Sequence, residues 1–486
     1  MSAASSAVGG MAIAAVVSRA LGFAKATLLV IAIGGTARSV GGQTFGVAND
    51  VPTNLYTLLA TGVLSAMIFP QIMRAIQRKS THDLDRLLTL IIVSAFALTA
   101  IATLAAPLLV RLYAPEWPPE WTELAVFMAY LCMPQLFFFI VYAALGQLLN
   151  AHERYRPFAW APALSNVIAI GSLLAFLAAT GGATGGVSEW APWMVALLCL
   201  GTLAGTVGQT VLVTVALRGV GYRFRPRWGV ADVGHLGRTG AWMLGGALTG
   251  QLAYVLVSIA ATGAASLLNE TSRDGASLNS YGLAMLVFLV PHGVFTVSIV
   301  TELFTRVSRA VESGDASEVG TSVDRSLRIV GWVSALFTAG FLIFGPTFSD
   351  LLWGSPVIGI VLAWLAPGLL PFSQIYLLNR ASMALSDPRA VFYTQLTAAV
   401  TTGVGAIICG ALLPPEAVVI GIAAVTSAAQ YLAWVVAFLL LRRKLLADAI
   451  PAPRWRNLGV GLLQVVAAAG IGAAGVLVLQ LTVGWA

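Results

Sequence analysis

Charge is what this chain has least of. Asp, Glu, Lys and Arg make up 10% of its 486 residues against 58% hydrophobic, a balance that excludes a soluble or disordered chain. Long polar stretches are missing too, since connections between apolar runs stay at or below about twenty residues, beside the ~20 that one helical span needs. That leaves no room for an extramembrane catalytic domain. Cysteine is scarce: Cys132, Cys199 and Cys409 sit inside apolar segments, and neither they nor the histidines are spaced as metal ligands. They read as small packing residues. No nucleophile stands beside a base, no glycine loop cradles phosphate and no pair of carboxylates suggests hydrolysis, so the chain does not read as an enzyme and no cofactor is expected. Residues 1–10 lack the basic start and small-residue cleavage site of a signal peptide, and the first apolar span is expected to be retained. The net charge of +7 does not point to nucleic acid, because the basic residues cluster in short connections where membrane orientation explains them.

What is there instead is a series of apolar runs long enough to cross ~30 Å of hydrocarbon as helix. Thirteen are expected, near 10–34, 46–76, 85–111, 122–149, 157–180, 188–217, 236–262, 279–308, 326–348, 356–385, 389–413, 416–441 and 457–482. Their apolarity is continuous rather than alternating, which argues against a closed barrel and gives an all-α polytopic membrane protein. Basic residues follow every even-numbered span: Arg74, Arg78, Lys79 and Arg86; Arg154 and Arg156; Arg218, Arg223, Arg225, Arg227 and Arg238; Arg306, Arg309, Arg325 and Arg328; Arg389; Arg442, Arg443, Lys444, Arg454 and Arg456. The odd-numbered connections hold only Arg38, Arg111 and Arg273. Positive connections stay cytoplasmic, so a cytoplasmic N-terminus is expected, and thirteen spans put Ala486 outside. The outer connection Pro115-Glu116-Trp117-Pro118-Pro119-Glu120-Trp121 is expected to set its tryptophans at the membrane interface.

The chain also repeats itself. Phe69-Pro70-Gln71-Ile72-Met73-Arg74-Ala75 is similar to Phe304-Thr305-Arg306-Val307-Ser308-Arg309-Ala310, 235 residues later. Pro134 with Asn150 matches Pro371 with Asp387 at an offset of 237. Both matches join spans six apart, and an even number preserves orientation, so two six-helix lobes are expected as parallel pseudo-twofold repeats around a central cavity. The lobes would cover 1–218 and 236–442, with 443–486 holding a cytoplasmic connection and an extra C-terminal span.

Polar residues inside the spans carry the functional reading. Ser18-Arg19 and Lys25 lie in the middle of the first span, where a cation costs at least ~2.5–3.5 kcal/mol at the bilayer centre and normally faces a wet cavity or a partner. An intramembrane site for an anion is one reading, and snorkelling to opposite head-group layers is the other. On an ideal helix the two cations stand about 120° apart, so one face presents both only if Gly22 bends the segment. Span 2 offers Asn49, Asp50 and Asn54 around Pro52, which removes a backbone donor. Asp50 either pairs with a first-span cation or is solvated near the outer surface. In the second half Glu302 is an ion-coupling carboxylate or an arginine's partner, Arg380 a ligand or a snorkelling cation, and His292 a packed residue or a proton relay. Gln251, with Gln147, Gln209 and Tyr254, lines a cavity or joins helices by hydrogen bonds.

Ser18-Arg19-Ala20-Leu21-Gly22-Phe23 resembles the MurJ (MviN) family of lipid II flippases, in the multidrug/oligosaccharidyl-lipid/polysaccharide exporter superfamily. So do Pro52 with Leu55, Gly62, Ser65 and Pro70; Pro134-Gln135-Leu136-Phe137-Phe138 through Gly146-Gln147-Leu148-Leu149-Asn150-Ala151; and Val290-Pro291-His292-Gly293-Val294-Phe295-Thr296-Val297-Ser298-Ile299-Val300. The resemblance implies two lobes in a V that open alternately inward and outward. It implies an undecaprenyl-pyrophosphate-linked disaccharide peptide moved from the inner to the outer leaflet of the bacterial cytoplasmic membrane. Arg19 and Lys25 would receive the pyrophosphate, with Ser18, Asn49, Asp50, Asn54, Gln251, Glu302 and Arg380 as further substrate contacts. Other cell-wall synthesis proteins are implied partners, and either membrane potential or a coupling ion would suit such a cycle.

Departures from the family pattern are specific. Lys25-Ala26 stands where the family usually has Arg-Asp, Gln43 where it has an acid, Tyr56 and Thr57 where it has paired arginines, and Leu286 and Leu289 where it has a basic residue and an acid. A fourteenth helix, which usually helps to build a lipid-tail groove, has no counterpart. Two other functions fit a polytopic chain: a cation-coupled antiporter of small molecules or drugs, expected to be rich in cavity acids and aromatics, and a polyprenyl-phosphate glycosyltransferase or polymerase, expected to need an acid near a surface loop.

Overall fold

The structure, a computed structural model, describes residues 3–60, 64, 68–78, 80–219, 221–229, 238–313, 316–448, 450 and 456–483. Among them the regular elements are helical. The chain divides into two compact units, Met1–Ala247 and Leu248–Ala486. The first holds α1 (Ala3–Ile33), α2 (Val40–Leu59), α3 (Phe69–Gln77), α4 (Thr81–Leu104), α5 (Ala106–Tyr113), α6 (Pro119–Cys132), α7 (Gln135–Ala151), α8 (Tyr155–Thr180) and α9 (Pro192–Arg218). The division falls within α10 (Arg238–Glu270). The second unit continues with α11 (Leu278–Pro291), α12 (Val297–Ser313), α13 (Ala316–Trp353), α14 (Pro356–Leu365), α15 (Leu369–Ala384), α16 (Pro388–Leu412), α17 (Pro415–Ala447) and α18 (Arg456–Val483).

Among the described residues, 12 helical segments are long and apolar enough to cross a bilayer. Several elements join into one span, as α6 with α7 over Pro119–Ala151 and α11 with α12 over Leu278–Ala310. The run expected at 46–76 accounts for the difference from thirteen. It contributes α2 and α3, and residues 61–63 and 65–67 between them lie outside the described residues.

Each unit packs its helices in the same order. In the first, α8 lies between α1 and α9, α2 lies on α6, α7 on α9 and α4, and α3 on α4. Six spans later α16 lies against α17 and, through Gly403 beside Ala253, against α10. There α11 lies on α14, α15 on α17 and α13, and α12 on α13. Sequence repeats at an offset of six spans therefore reappear as repeated neighbours. The second unit carries one helix more. α18 packs on α13 and touches α15; its Gly461 leaves room for the Trp434 ring, which a Cβ would meet at 2.8 Å, and Gln464 Nε2 donates to the Arg328 carbonyl over 3.4 Å.

Local chemistry sets the starts of these helices. Gly34, at φ +79°, turns the chain out of α1 in a conformation that favours glycine. Ser39 then caps α2, accepting from the Gly42 N–H at 3.2 Å while its hydroxyl donates to the Ile33 carbonyl. Ser277 and Ser280 form a reciprocal capping box at the start of α11, satisfying donors that a helix end leaves orphaned. Pro52 sits inside α2, which stays helical to Leu59. Trp117 lies in the connection before α6 and Trp121 in the first turn of that helix. They pack edge to face with centroids 5.6 Å apart and are 6% and 4% exposed.

Candidate functional site

In the first unit α1 runs unbroken through Gly22, so no bend brings Arg19 and Lys25 onto one face. The neighbour that orients the helix is Asn166 of α8. Its Nδ2 donates to the Ser18 carbonyl over 3.0 Å, and a Cβ on Gly22 would meet the same Nδ2 at 3.5 Å. Residues 18, 22 and 25 lie on one stripe of a helix of 3.6 residues per turn. Lys25 is accordingly half-buried, and Arg19, about 100° round from Ser18, is exposed. Among the described residues no carboxylate pairs with Lys25.

The α2 amides are tied to other helices. Asn49 Oδ1 accepts from Gln135 Nε2 at 3.3 Å, and Gln135 Oε1 accepts from the Thr206 hydroxyl at 3.4 Å, so α2, α7 and α9 share one polar thread. Gln135 is 2% exposed. One turn along α2, Asn54 Nδ2 donates to the Tyr113 hydroxyl over 3.3 Å, and the half-buried Asp50 acts electrostatically on that same hydroxyl. Sequence reasoning singled out Asn49 and Asn54 and missed Gln135, Thr206, Tyr113 and Asn166. The available signal was Gln135 itself, which follows Pro134 in a motif already marked by the repeat.

The second unit arranges its polar residues differently. Pro291 ends α11, and a π-helical turn, His292–Thr296, carries the chain into α12; such turns recur at functional sites. His292 is packed, at 9% exposed. Its Nδ1 lies 3.2 Å from the Ser373 hydroxyl, and its ring meets those of Phe372 and Tyr376 at 4.7 and 5.2 Å. Tyr376 leads on to Arg380, whose Nη2 donates to the tyrosine hydroxyl at 3.1 Å while the guanidinium stands 5.2 Å from the ring centre. Glu302 binds Arg306 one turn on, at 2.6 Å, with both side chains exposed. Gln251 is half-buried on α10. The structure thus joins His292, Ser373, Tyr376 and Arg380 into one cluster and leaves Glu302 in a separate local pair.

Paired units of this helix order, with polar residues inside the spans, define a class of membrane transporter. The fold matches the solved structure of "Lipid II flippase MurJ, inward closed conformation" with a TM-score of 0.70 at 16% identity, covering 97% of each chain. It also matches the inward-facing conformation of a multidrug resistance MATE family transporter of the MOP superfamily, with a TM-score of 0.69 at 14% identity over 88% of this chain and 95% of that one. Sequence narrows the class. The family described as "Lipid II flippase MurJ" matches residues 37–486, and the chain belongs to that family. A probable lipid II flippase MurJ of Rhizobium meliloti (strain 1021) is 24% identical over 394 residues, 76% of this chain and 69% of the relative. Another, of Rickettsia prowazekii (strain Madrid E), is 25% identical over 159 residues, 32% of this chain and 31% of the relative. The family match begins at residue 37, so Ser18, Arg19 and Lys25 stand before it.

Proposed function

We propose that this protein moves lipid II, the undecaprenyl-pyrophosphate-linked disaccharide peptide, from the inner to the outer leaflet of the bacterial cytoplasmic membrane by alternating access. The observation that carries the reading is the family match over 37–486. Likeness in fold alone would suit a drug antiporter as well, and membership of the flippase family favours the lipid.

The chemistry of α1 supports it. Arg19 is an exposed cation in an apolar span, and its planar fork of donors suits a pyrophosphate better than an ammonium does. Lys25, half-buried on the α8 side, supplies charge more than direct contact. Asn49, Asp50, Asn54 and Gln251 offer neutral and acidic hydrogen-bonding groups for sugar and peptide, while Arg380 and Glu302 start out engaged by Tyr376 and Arg306. No covalent step is assigned to the chain. Membrane potential or a coupling ion would drive the cycle, the N-terminus would face the cytoplasm, and other cell-wall synthesis proteins would supply and consume the cargo.

The test is outer-leaflet accessibility of lipid II in cells depleted of other flippases. Wild type restores it, Arg19→Ala falls to background while still reaching the membrane, and Arg19→Lys keeps part of the activity. Failure of the wild type overturns the function; undiminished export by Arg19→Ala removes Arg19 from the mechanism.

A further inference from the structure

The connection after α9 is a seated segment. Tyr222 donates to Asp85 Oδ1 over 2.6 Å, and the Arg225 N–H reaches the same oxygen at 3.4 Å. The Arg227 N–H donates to Thr89 Oγ1 at 3.0 Å, and its Nε lies 3.6 Å from Asp85 Oδ2. Burial and this carboxylate hold the Tyr222 hydroxyl well above its ordinary titration range. Asp85 is only 3% exposed, so its charge serves the connection rather than solvent. Gly229, at φ +141°, closes the seat: a Cβ there would come 3.0 Å from Arg86 Nε.

Seated in this way, Tyr222-Arg223-Phe224-Arg225-Pro226-Arg227-Trp228 turns four side chains outward. Arg223 and Arg225 are exposed, Phe224 is 38% exposed and Trp228 is 77% exposed. Among the described residues neither Arg223 nor Arg225 has a carboxylate partner. The helix beneath is apolar on its outer side, with Phe96 and Ile101 of α4 68% and 63% exposed, so α4 presents a face to acyl chains. Thr89 lies four residues beyond Asp85, ~6 Å along the helix axis. The segment therefore runs along the first turns of α4, from Asp85 to Thr89; at head-group depth tryptophan settles and arginine snorkels.

We propose that residues 222–228 are a docking surface for anionic phospholipid head groups of the cytoplasmic leaflet. Trp228 and Phe224 enter the interfacial layer, and Arg223 and Arg225 hold phosphate oxygens by charge-assisted hydrogen bonds. The inference is independent of the cargo.

The full chain is reconstituted in vesicles of phosphatidylcholine, with and without phosphatidylglycerol, and the phospholipid retained after gentle extraction is counted by native mass spectrometry. Arg223→Gln with Arg225→Gln is compared with a second cytoplasmic pair, Arg154→Gln with Arg156→Gln. The proposal expects roughly a ten-fold or greater loss of phosphatidylglycerol in the first pair, from about five-fold per arginine. That loss should be mimicked by high salt, with phosphatidylcholine unchanged. A fluorophore on Trp228→Cys should be quenched by brominated lipid. Equal retention in the first pair, an equal loss in the second, or an unquenched fluorophore overturns it, the last by placing the segment in water or against a protein.

Discussion

The two units share an order of packing and differ in how they satisfy their polar side chains. In the first, the bonds cross between helices: Asn49, Gln135 and Thr206 link α2, α7 and α9, and Asn166 of α8 reaches α1. In the second, bonds also cross, as between Tyr281 and Thr426 and from Gln374 Nε2 to the Leu327 carbonyl, but two of the charges singled out in its spans are met within their own helix. Glu302 is answered by Arg306 and Arg380 by Tyr376, each one turn away, and His292 is enclosed by aromatic rings. Repetition of a fold thus fixes which helices touch, and leaves each copy free to spend its polar groups separately. Unit 1 carries two cations on one span, with Arg19 exposed, whereas in unit 2 Glu302 and Arg380 are engaged within one turn by Arg306 and Tyr376. Under the proposed function, Arg19 of unit 1 is the first candidate to receive an anionic head group.

The sharpest way to break the comparison is to set Arg380→Ala beside Arg19→Ala in the lipid II accessibility assay. The Arg19 change should abolish export, and the Arg380 change should leave most of it. Equal losses would show that both units bind the anion. A smaller effect is expected at Gln135. Interhelical hydrogen bonds in membranes average about 0.6 kcal/mol each, so Gln135→Leu, which cuts two, should cost about 1 kcal/mol and lower the thermal midpoint in detergent. An unchanged midpoint would mean that the polar thread is not what holds α2 to α7 and α9.

Much of the architecture was legible before any coordinates, because a bilayer forces each span to be apolar, helical and of minimum length. The Phe69/Phe304 match pointed to the repeated order of helices. What stayed hidden depended on rotation about helix axes and on distant pairing. Asn49 stood out as an amide beside Pro52, but its partner lies 86 residues on, and nothing in an apolar run says which face meets which. Arg19 in its motif and Lys25 at a substituted position were already distinct in the sequence; the seat of Asn166 against Ser18 and Gly22 adds which of the two shares the covered stripe. That Trp117 and Trp121 pack on each other was likewise not readable from their spacing.

The finer predictions lie in unit 2. Ser373→Ala removes one hydrogen bond from His292 and leaves the aromatic enclosure, so a cost of about 0.6 kcal/mol is expected, below that of Gln135→Leu; a larger drop in the midpoint would mark the hydroxyl as the main restraint on the π-helical turn. Glu302→Gln should matter least. The Glu302–Arg306 pair spans one helical turn with side chains 67% and 51% exposed, and such pairs contribute about 0.3–0.5 kcal/mol. Neither the midpoint nor lipid II export should change measurably. The result that would count most against the contrast between units is a loss of export with the midpoint intact. A local ion pair cannot produce that combination, but a carboxylate that exchanges Arg306 for a coupling cation during the cycle does, and unit 2 would then supply the drive for the cargo that unit 1 binds.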